Sequence, residues 1–387
     1  MISYLDNAAT TYPKPQAVYE EVYRCMTRYG GNPGRGAHSL SLGAAQKIFE
    51  CRNLIADLFD VGELERVVFT LNTTYALNMA IKGLLRRGDH VIISDLEHNA
   101  VLRPIYKLAK QGIIEYDVFS SMVDSTKRNP TLVCAKIATL LRPNTKMVVC
   151  THASNICSYV LPIREIGDFC RRHRLLFVVD GAQSAGHYPI KVDEMNISAL
   201  CMPSHKGLYG PQGAGIVALG RGITLDTLAE GGNGVNSLDG DMPDFSPERY
   251  EAGTLPTPAI AGLCEGIKAV TARGLDAIAE HEAALFGTAR ECLCNIPGIS
   301  LYAPAFAGAT MLFNMRGFTS EALAHELNKY GICVRGGFHC SALGHKTLAT
   351  PDSGAVRVSF GMLSQARDVD ALAKALLRIS TESARGI

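Results

Sequence analysis

Residues 175–183 read LLFVVDGAQ, and this stretch decides the fold class. Five apolar residues run without interruption from Leu175 to Val179, and Asp180 ends the run. A short, continuous apolar run rich in valine is typical of a parallel strand that is buried on both faces of a sheet. The stretch therefore predicts a buried strand whose carboxyl end carries an acid.

The same pattern recurs along much of the chain and alternates with helical periodicity. Further short apolar runs lie at 66–70, 90–94, 146–151, 199–202 and 215–219. Helical patterns lie between these runs, among them 41–60, 73–85 and 163–174. This alternation predicts an α/β fold, with a large domain built on a mostly parallel sheet of the seven-stranded type flanked by helices.

The pattern changes after Thr254, where prolines precede a long helix at 255–274. The later segments read as strand, helix, two strands and helix, at 310–315, 320–331, 332–337, 355–361 and 368–380. This order predicts a smaller α+β C-terminal domain. We expect residues 15–255 to form the large domain, and residues 1–14 together with 256–387 to form the small one.

The composition is that of an ordinary globular protein, with 47% hydrophobic and 19% charged residues. A net charge of +1 gives no reason to expect nucleic acid or a membrane as partner. The N-terminus has no basic segment followed by an apolar run, so no secretory signal is expected. Twelve irregularly spaced cysteines then indicate reduced thiols in the cytoplasm.

Polar residues follow five of the predicted strands at the point where each strand ends. In an open parallel sheet, ligands bind beyond these carboxyl ends. The segments concerned are LNTT (71–74), DLEHN (95–99), THASN (151–155), DGAQ (180–183) and PSHK (203–206). Together they bring hydroxyls, carboxylates, amides, histidines and a lysine to one predicted cleft.

Three features of this cleft suggest chemistry, each with a structural alternative. Thr73 and Thr74 open a helix, and hydroxyls and amides at a helix N-terminus suit a phosphate, although they could also serve only as a cap. Asp180 ends an apolar strand, where a carboxylate needs a cation such as a protonated ring nitrogen, or a structural ion pair. Lys206, if partly desolvated among cations, becomes a nucleophile toward aldehydes.

The sequence motifs argue against a nucleotide-binding loop and against a metal site. The sequence contains no G-x-x-x-x-G-K-[ST] loop, and its glycine clusters do not form G-x-G-x-x-G between a strand and a helix. His339, Cys340 and His345 lie close in sequence but have no second ligand pair at zinc spacing, so we expect no metal.

Phosphate-binding threonines, an acid for a ring nitrogen and a Schiff-base lysine together describe a site for pyridoxal 5'-phosphate (PLP). Over essentially its whole length the chain resembles the class V, fold-type I PLP enzymes, and within them the cysteine desulfurases and selenocysteine lyases. The matching segments are YLDNAATT (4–11), NPGRGAHSLS (32–41), EHNA (97–100), HASN (152–155), VDGAQ (179–183), SHKGLYGPQG (204–213), YEAGT (250–254) and VRGGFHC (334–340).

The resemblance implies a role for each matched residue. Lys206 would form the Schiff base with PLP, Asp180 would pair with the ring nitrogen, Gln183 would hydrogen-bond the phenolic oxygen and His98 would stack on the ring. The phosphate would be held by Thr73, Thr74, Ser204 and His205, and by Thr254 reaching the other subunit of a homodimer. The substrate carboxylate would be bound by Asn155 and Arg357, with Arg335 nearby.

Cys340 is implied as the nucleophile that accepts sulfur from L-cysteine as a persulfide, leaving L-alanine. We expect positive charge on His339 and Arg335 to favour the thiolate, and Gly336-Gly337 to let the loop move. The sulfur would pass to an acceptor such as an iron–sulfur cluster assembly scaffold, a carrier protein or a tRNA-modifying enzyme. Selenocysteine lyase and class V aminotransferase activity are the alternatives within the family, and a catalytically silent binding protein is the alternative outside it.

Overall fold

The computed structural model describes residues 2–34, 36–122, 129–302 and 308–384. The α-helices in these residues are α1 Gln16–Arg28, α2 Ser39–Phe59, α3 Thr73–Leu84, α4 Asn99–Lys110, α5 Pro130–Ala138, α6 Ile163–Arg172, α7 Thr257–Arg273, α8 Leu275–Cys294, α9 Ser320–Lys329, α10 Ala342–Thr347 and α11 Ala366–Ala384. The strands are β1 Ser3–Tyr4, β2 Val67–Thr70, β3 His90–Ser94, β4 Glu115–Phe119, β5 Thr145–Thr151, β6 Leu176–Asp180, β7 Ala199–Pro203, β8 Gly215–Leu219, β9 Ile299–Leu301, β10 Thr310–Met315, β11 Ile332–Cys333, β12 Arg335–Gly337 and β13 Ala355–Ser359.

The central sheet has seven strands in the order β2-β8-β7-β6-β5-β3-β4. Strands β7, β6, β5, β3 and β4 are parallel, whereas β8 runs antiparallel to both of its neighbours. The expected α/β fold with a mostly parallel sheet is therefore confirmed. Because the five parallel strands point the same way, their carboxyl ends meet along one edge of the sheet.

Helices bury both faces of this sheet, as the uninterrupted apolar strands require. Val178 and Val179 are both fully buried, but they lie in different cores because successive side chains of a strand point to opposite faces. Val179 packs in the core that contains α2 and α7, and Val178 in the core that contains α3 and α4. Each buried valine contributes roughly 1.5–3 kcal/mol relative to an exposed one.

Strand β4 was missed by the sequence reasoning. Its sequence, EYDVF, alternates charged and apolar residues, and only Phe119 is buried. Among the described strands it pairs with β3 alone, at one edge of the sheet. An edge strand that is open to solvent does not need the continuous apolar run by which the inner strands were recognised.

The C-terminal part of the chain forms a second, antiparallel sheet of order β12-β13-β10-β9. The expectation of one strand at 332–337 is wrong. The segment is interrupted at Val334: β11 pairs with the N-terminal strand β1, and β12 joins the four-stranded sheet. This split pairs β1 with β11 in a separate two-stranded sheet and places Arg335 directly opposite Arg357 of β13.

The division of the chain into domains at residues 255 and 256 stays a prediction. Helix α7 lies beyond that boundary, yet its residues Ile260, Leu263 and Ile267 pack in a core of the large sheet. We therefore propose that the large domain extends through α7 and that the small domain begins with α8.

In the described part of the chain, no helix has the length and apolar character needed to cross a bilayer.

A glycine in α6 tests the packing of helices on the large sheet. A methyl group on Gly167 would lie 1.9 Å from the carbonyl oxygen of Met195. We expect Gly167→Ala to lower the free energy of unfolding by about 1–3 kcal/mol, because the helix must move away from its neighbour. Urea denaturation followed by circular dichroism measures the change.

Gly287→Ala in α8 is the matched control, since an added methyl group there meets no described atom within 4 Å. In this variant the free energy of unfolding should rise by about 0.5–1 kcal/mol, because alanine has a higher helix propensity than glycine. Equal denaturation midpoints for the two variants would contradict the packing described for α6.

Candidate active site

A cavity of about 230 Å³ opens at the carboxyl ends of the parallel strands. Most of the side chains predicted for the site line it, namely Thr73, Thr74, His98, Asn155, Asp180, Gln183, His205, Lys206, Arg335 and Arg357. They come from the ends of four strands of the large sheet, from the start of α3 and from two strands of the small sheet. The cavity therefore lies where the two sheets meet.

Asp180 ends β6, the most central parallel strand, and is only 2% exposed. Its Oδ1 accepts a hydrogen bond of 2.9 Å from the amide of Ala182. Burial raises the pKa of this carboxyl above its usual value, and the Ala182 amide and Lys206 partly oppose the rise. A buried carboxylate of this kind is stabilised by a cation in the cavity.

Lys206 lies in the loop after β7 and is partly buried. Burial lowers the pKa of its ammonium group to about 8; Arg357 and Arg335 lower it as well, while Asp180 opposes them. A substantial fraction of the amine is therefore neutral near pH 8, as a nucleophile toward an aldehyde requires. Desolvation and neighbouring cations, the two causes expected from the sequence, both lower this pKa.

The chain just before Lys206 is held by the N-terminal segment. The carbonyl of His205 accepts hydrogen bonds from the Thr11 amide at 3.0 Å and from Lys14 Nζ at 2.9 Å. Burial, with Lys206 and Lys14, lowers the pKa of the His205 ring to about 4, so the ring is neutral at pH 7. Sequence reasoning gave Thr11 and Lys14 no role, although they lie in or beside the YLDNAATT motif.

The N-terminus of α3 forms the opposite wall. Asn72 caps the helix by accepting from the Tyr75 amide, at 2.9 Å. The cap is therefore Asn72 rather than Thr73 or Thr74, which leaves the threonines for another partner. Among the described residues, Thr73 Oγ1 and His205 Nδ1 are buried without a hydrogen-bond partner. Unsatisfied buried donors at a helix N-terminus suit an anion.

His98 caps α4 at the edge of the cavity. Its Nδ1 accepts from the Ala100 amide at 3.0 Å, so this nitrogen carries no proton. Burial, together with Lys206 and three arginines, lowers the pKa of the ring to about 4. His98 is therefore a neutral aromatic ring at pH 7, a state that permits stacking on another ring.

Two arginines make the small-sheet wall cationic. Arg357 is 2% exposed, donates to Asp6 Oδ1 at 2.7 Å and donates to the carbonyl of Asn155 at 3.2 Å. Arg335 faces it across the strand pair β12–β13. Like charges placed directly opposite each other are destabilising, so this wall favours an anionic ligand. Asp6 orients Arg357 and was missed by the sequence reasoning.

The structure places Ser204 and Thr254 outside this cavity. Ser204 is fully buried, and its Oγ faces Gly210, where an added methyl group would lie 2.1 Å away. Thr254 is exposed and lines a different cavity, of about 460 Å³, together with Phe49 and Phe245. A phosphate contact of Thr254 therefore depends on a second subunit, as the resemblance implied.

Cys340 is exposed on a turn beside the cavity, whereas its neighbour His339 lines the cavity wall. The carbonyl of Cys340 accepts from the Asn99 amide at 2.7 Å, and the carbonyl of His339 accepts from Asn155 Nδ2 at 2.8 Å. His339 and Cys340 have φ angles of 52° and 56°, in the left-handed region. The turn is thus anchored at two successive residues.

One expectation about this turn is wrong, and a second is not tested. His339 is only 4% exposed, and burial together with Arg357 lowers its pKa to about 3, so it is neutral and brings no positive charge to Cys340. The Gly336-Gly337 pair is part of β12, and a methyl group on Gly336 would lie 2.5 Å from the carbonyl of Ser320. Close packing accounts for Gly336, and movement of the loop stays a prediction.

A possible metal-binding group lies elsewhere in the described residues. Glu50, Cys264 and Glu265 bring their ligand atoms together near α2 and α7. Lys47 and Lys268 already approach Glu265 Oε1 at 3.0 and 2.8 Å. The two carboxylates are therefore neutralised by ammonium groups, which is an ion-pair network and not a metal site.

Together the cavity walls match a flat, anionic, aromatic ligand. The start of α3 and His205 suit a phosphate, Asp180 suits a protonated ring nitrogen, and Lys206 suits an aldehyde. The arginine wall remains available for the carboxylate of a second molecule. This combination of donors is the one expected for PLP and an amino acid.

The family model described as aminotransferase class-V matches residues 3–372. A probable cysteine desulfurase of Methanothermobacter thermautotrophicus is 31% identical, and the alignment covers 97% of this chain and 94% of the relative. A cysteine desulfurase of Serratia proteamaculans is 30% identical, with 98% and 93% covered.

Solved structures of cysteine desulfurases are also similar to this chain. The apo cysteine desulfurase of Thermococcus onnurineus NA1 superposes with a TM-score of 0.88 at 28% identity, covering 98% of this chain and 95% of that one. The cysteine desulfurase CsdA of Escherichia coli gives a TM-score of 0.86 at 24% identity, with 99% and 95% covered, and at that identity supports the fold alone.

The match extends over nearly the whole chain, and the expected resemblance to cysteine desulfurases is confirmed by the relatives of similar length. The chain belongs to the aminotransferase class-V family.

Proposed function

We propose that this chain is a PLP-dependent cysteine desulfurase, which converts L-cysteine to L-alanine and takes the sulfur onto Cys340 as a persulfide. The observation that carries the proposal is the position of Cys340, one residue from a cavity that contains a low-pKa Lys206, the buried Asp180 and the Arg357 wall. The names of the relatives support the same activity.

The residues present fit the cofactor that the family implies. The unsatisfied Thr73 hydroxyl, the amide of Thr74 and the His205 ring would hold the phosphate. Asp180 would face the ring nitrogen, His98 would stack on the ring and Gln183 would reach the phenolic oxygen. Ser204, buried against Gly210, would support the Lys206 loop from behind and is no longer proposed as a direct phosphate ligand.

When bound, PLP supplies an electron sink for the charge that develops at the substrate Cα. Arg357, already oriented by Asp6, would bind the substrate carboxylate by paired hydrogen bonds, with Asn155 beside it. Lys206 would remove the Cα proton and return a proton to the substrate skeleton, because its pKa allows both states near neutral pH.

Cys340 would perform the sulfur transfer as a thiolate. Its Sγ attacks the sulfur of bound cysteine; an S–S bond forms, the Cβ–S bond breaks, and the bonding pair stays with the substrate carbon. That carbon then takes up a proton, which gives alanine. The exposed position of Cys340 leaves the terminal sulfur open to an acceptor, whose identity the residues do not specify.

The family offers two other reactions for this site. A selenocysteine lyase would use the same residues, so the substrate has to be compared directly. An aminotransferase would not need Cys340. Alanine release from L-cysteine, from L-selenocysteine and from an amino donor with a keto acid separates the three activities. The cytoplasmic location also stays a prediction.

A homodimer is part of the proposal. Helices α1 and α2 both pack against α7, are linked by the Lys47–Glu21 pair at 3.4 Å, and expose large apolar side chains. Tyr23, Met26 and Phe49 are 72%, 68% and 57% exposed. Phe49 also lines the cavity that contains Thr254. Large apolar side chains left exposed, one of them beside a predicted cofactor-binding residue outside the active-site cavity, support a subunit interface on these helices.

The nucleophile is tested by Cys340→Ala. We expect this variant to lose sulfide release and alanine formation from L-cysteine while the absorbance of bound PLP stays unchanged, because Cys340 lies outside the cavity. Cys294→Ala is the control, since Cys294 is also exposed but lies on α8. Turnover by Cys340→Ala at the native rate would refute the assignment.

Lys206 is tested by the pH dependence of cofactor uptake. Only the neutral amine of Lys206 adds to the aldehyde. Because the pKa of Lys206 is about 8, the neutral fraction of this amine falls about tenfold for each pH unit below pH 8. The rate at which apoprotein takes up PLP should therefore rise from pH 6 and level off above pH 8, as followed by stopped-flow absorbance. Lys206→Ala should not develop the absorbance band of the Schiff base with PLP. An unchanged band in that variant would show that Lys206 does not form the Schiff base.

The interface is tested by Phe49→Glu. A charge on this surface should separate the subunits, because burying it without a partner costs more than the contact gains. Sedimentation velocity should show the native chain at twice the mass of the variant. Leu132→Glu, at another exposed apolar residue on α5, should remain dimeric. A native chain that sediments as a monomer at micromolar concentration would rule out the dimer.

A further inference from the structure

A chain of three side chains lies behind the Cys340 turn and connects it to the segment after α10. His339 Nε2 is 3.0 Å from the carbonyl of Arg335, His339 Nδ1 is 3.2 Å from His345 Nε2, and His345 Nδ1 is 2.8 Å from Thr350 Oγ1. The two imidazole rings are nearly parallel, with an interplanar angle of 10°. We call the side chains of His339, His345 and Thr350 the histidine relay.

The direction of each hydrogen bond in the histidine relay follows from its first acceptor. A carbonyl can only accept, so His339 Nε2 carries the proton and His339 Nδ1 of the neutral ring must accept. His345 Nε2 therefore donates to it, and the neutral His345 Nδ1 accepts from the Thr350 hydroxyl. The Thr350 amide donates to the carbonyl of His345 at 3.1 Å, which keeps Thr350 against the ring.

The surroundings hold both rings in the neutral state. His339 and His345 are 4% and 3% exposed. Burial and Arg357 lower the pKa of His345 to about 4, and the same two causes lower the pKa of His339 to about 3 although its hydrogen bond to the Arg335 carbonyl partly opposes them. No carboxylate hydrogen-bonds to either ring among the described residues, so nothing there would stabilise an imidazolium.

The histidine relay fixes the backbone that presents Cys340. His339 and Cys340 both lie in the left-handed region, which residues with a side chain adopt only where the surroundings hold them. The His339 ring is tied at both nitrogens, and its carbonyl is tied by Asn155. His345 lies on α10, which begins directly after the turn. The His345 amide donates to the carbonyl of Ser341 at 3.0 Å.

We propose that His345 and Thr350 are positioning residues for sulfur transfer, which lock His339 and thereby hold the Cys340 thiol at a fixed place at the cavity mouth. This inference rests on the proposed role of Cys340. Because both nitrogens of His339 are occupied, His339 is not the base that takes the thiol proton. Sulfur transfer then depends on a rigid turn, and loss of the lock should slow the transfer without weakening substrate binding.

Two pairs of variants test the histidine relay in the PLP-bound enzyme. His345→Leu removes the donor to His339, whereas His345→Gln keeps an N–H that can donate. Thr350→Val removes the hydroxyl with almost no change of shape, whereas Thr350→Ser keeps it. Thr347→Val is the control, since Thr347 lies on the same helix and its exposed hydroxyl faces Asp95 instead.

We expect His345→Leu and Thr350→Val to lower kcat for alanine formation about tenfold to a hundredfold, because a small misplacement of a nucleophile has effects of that size. KM for L-cysteine and the PLP absorbance should stay unchanged, since Arg357, Lys206 and Asp180 are untouched. His345→Gln and Thr350→Ser should recover most of the rate. If His345→Leu does not fold, the Thr350 pair gives the result alone.

A second measurement does not depend on desulfurase activity. Cys340 and Cys294 are both exposed, so one protein reports the alkylation rate of a relay-held thiol and of a reference thiol, resolved by peptide mass spectrometry. The released turn should raise the ratio of Cys340 to Cys294 alkylation by about threefold or more in His345→Leu and Thr350→Val. Thr347→Val should keep the native ratio.

The two measurements separate failure of this inference from failure of the proposed function. If the native enzyme forms no alanine, the proposed function fails, and the alkylation ratios still report on the histidine relay. If the native enzyme is active but kcat and the alkylation ratio are the same in all variants, the positioning role of His345 and Thr350 is overturned. A parallel rise in KM with loss of PLP would show general destabilisation instead and would also overturn it.

Discussion

A carboxylate at the end of a strand that water cannot reach is the constraint on which the rest of the site depends. Asp180 is 2% exposed, and one backbone amide only partly compensates its burial. The parallel sheet creates this situation, because β6 is flanked by β5 and β7 and covered by helices on both faces. A cation has to complete the site, and this need gives the cavity its preference for a ring nitrogen that can be protonated.

The other charges of the site are arranged around this carboxylate. Lys206 lies close enough to be stabilised by Asp180, yet burial and the arginine wall keep its pKa near 8. Arg357 is neutralised on one side by Asp6, while Arg335 stands opposite it on the neighbouring strand. An excess of positive charge at this wall and a negative charge at the strand end make the cavity suited to a zwitterionic substrate beside a cofactor.

Sequence reasoning found the inner strands because burial on both faces leaves a simple pattern. β3 and β8 begin and end at the residues expected, 90–94 and 215–219. It missed β4, whose solvent-exposed edge carries charged residues, and it joined β11 to β12 because both are short and extended. The site residues at strand ends could be found in the same way, since parallel strands must bring their carboxyl ends to one edge.

Local periodicity and residue type were enough to predict the α/β sheet, the set of polar residues at its edge and the family motifs. Which of those residues meet depends on how the chain folds back on itself. The tertiary structure placed Ser204 against Gly210 outside the cavity, Thr254 in a separate cavity and Cys340 on an anchored turn. It also decided the charge of His339, since a ring expected to be cationic is neutral once it is buried between Arg335, Arg357 and His345. Burial and hydrogen-bond direction come from contacts between segments far apart in the chain, and no single stretch of sequence carries them.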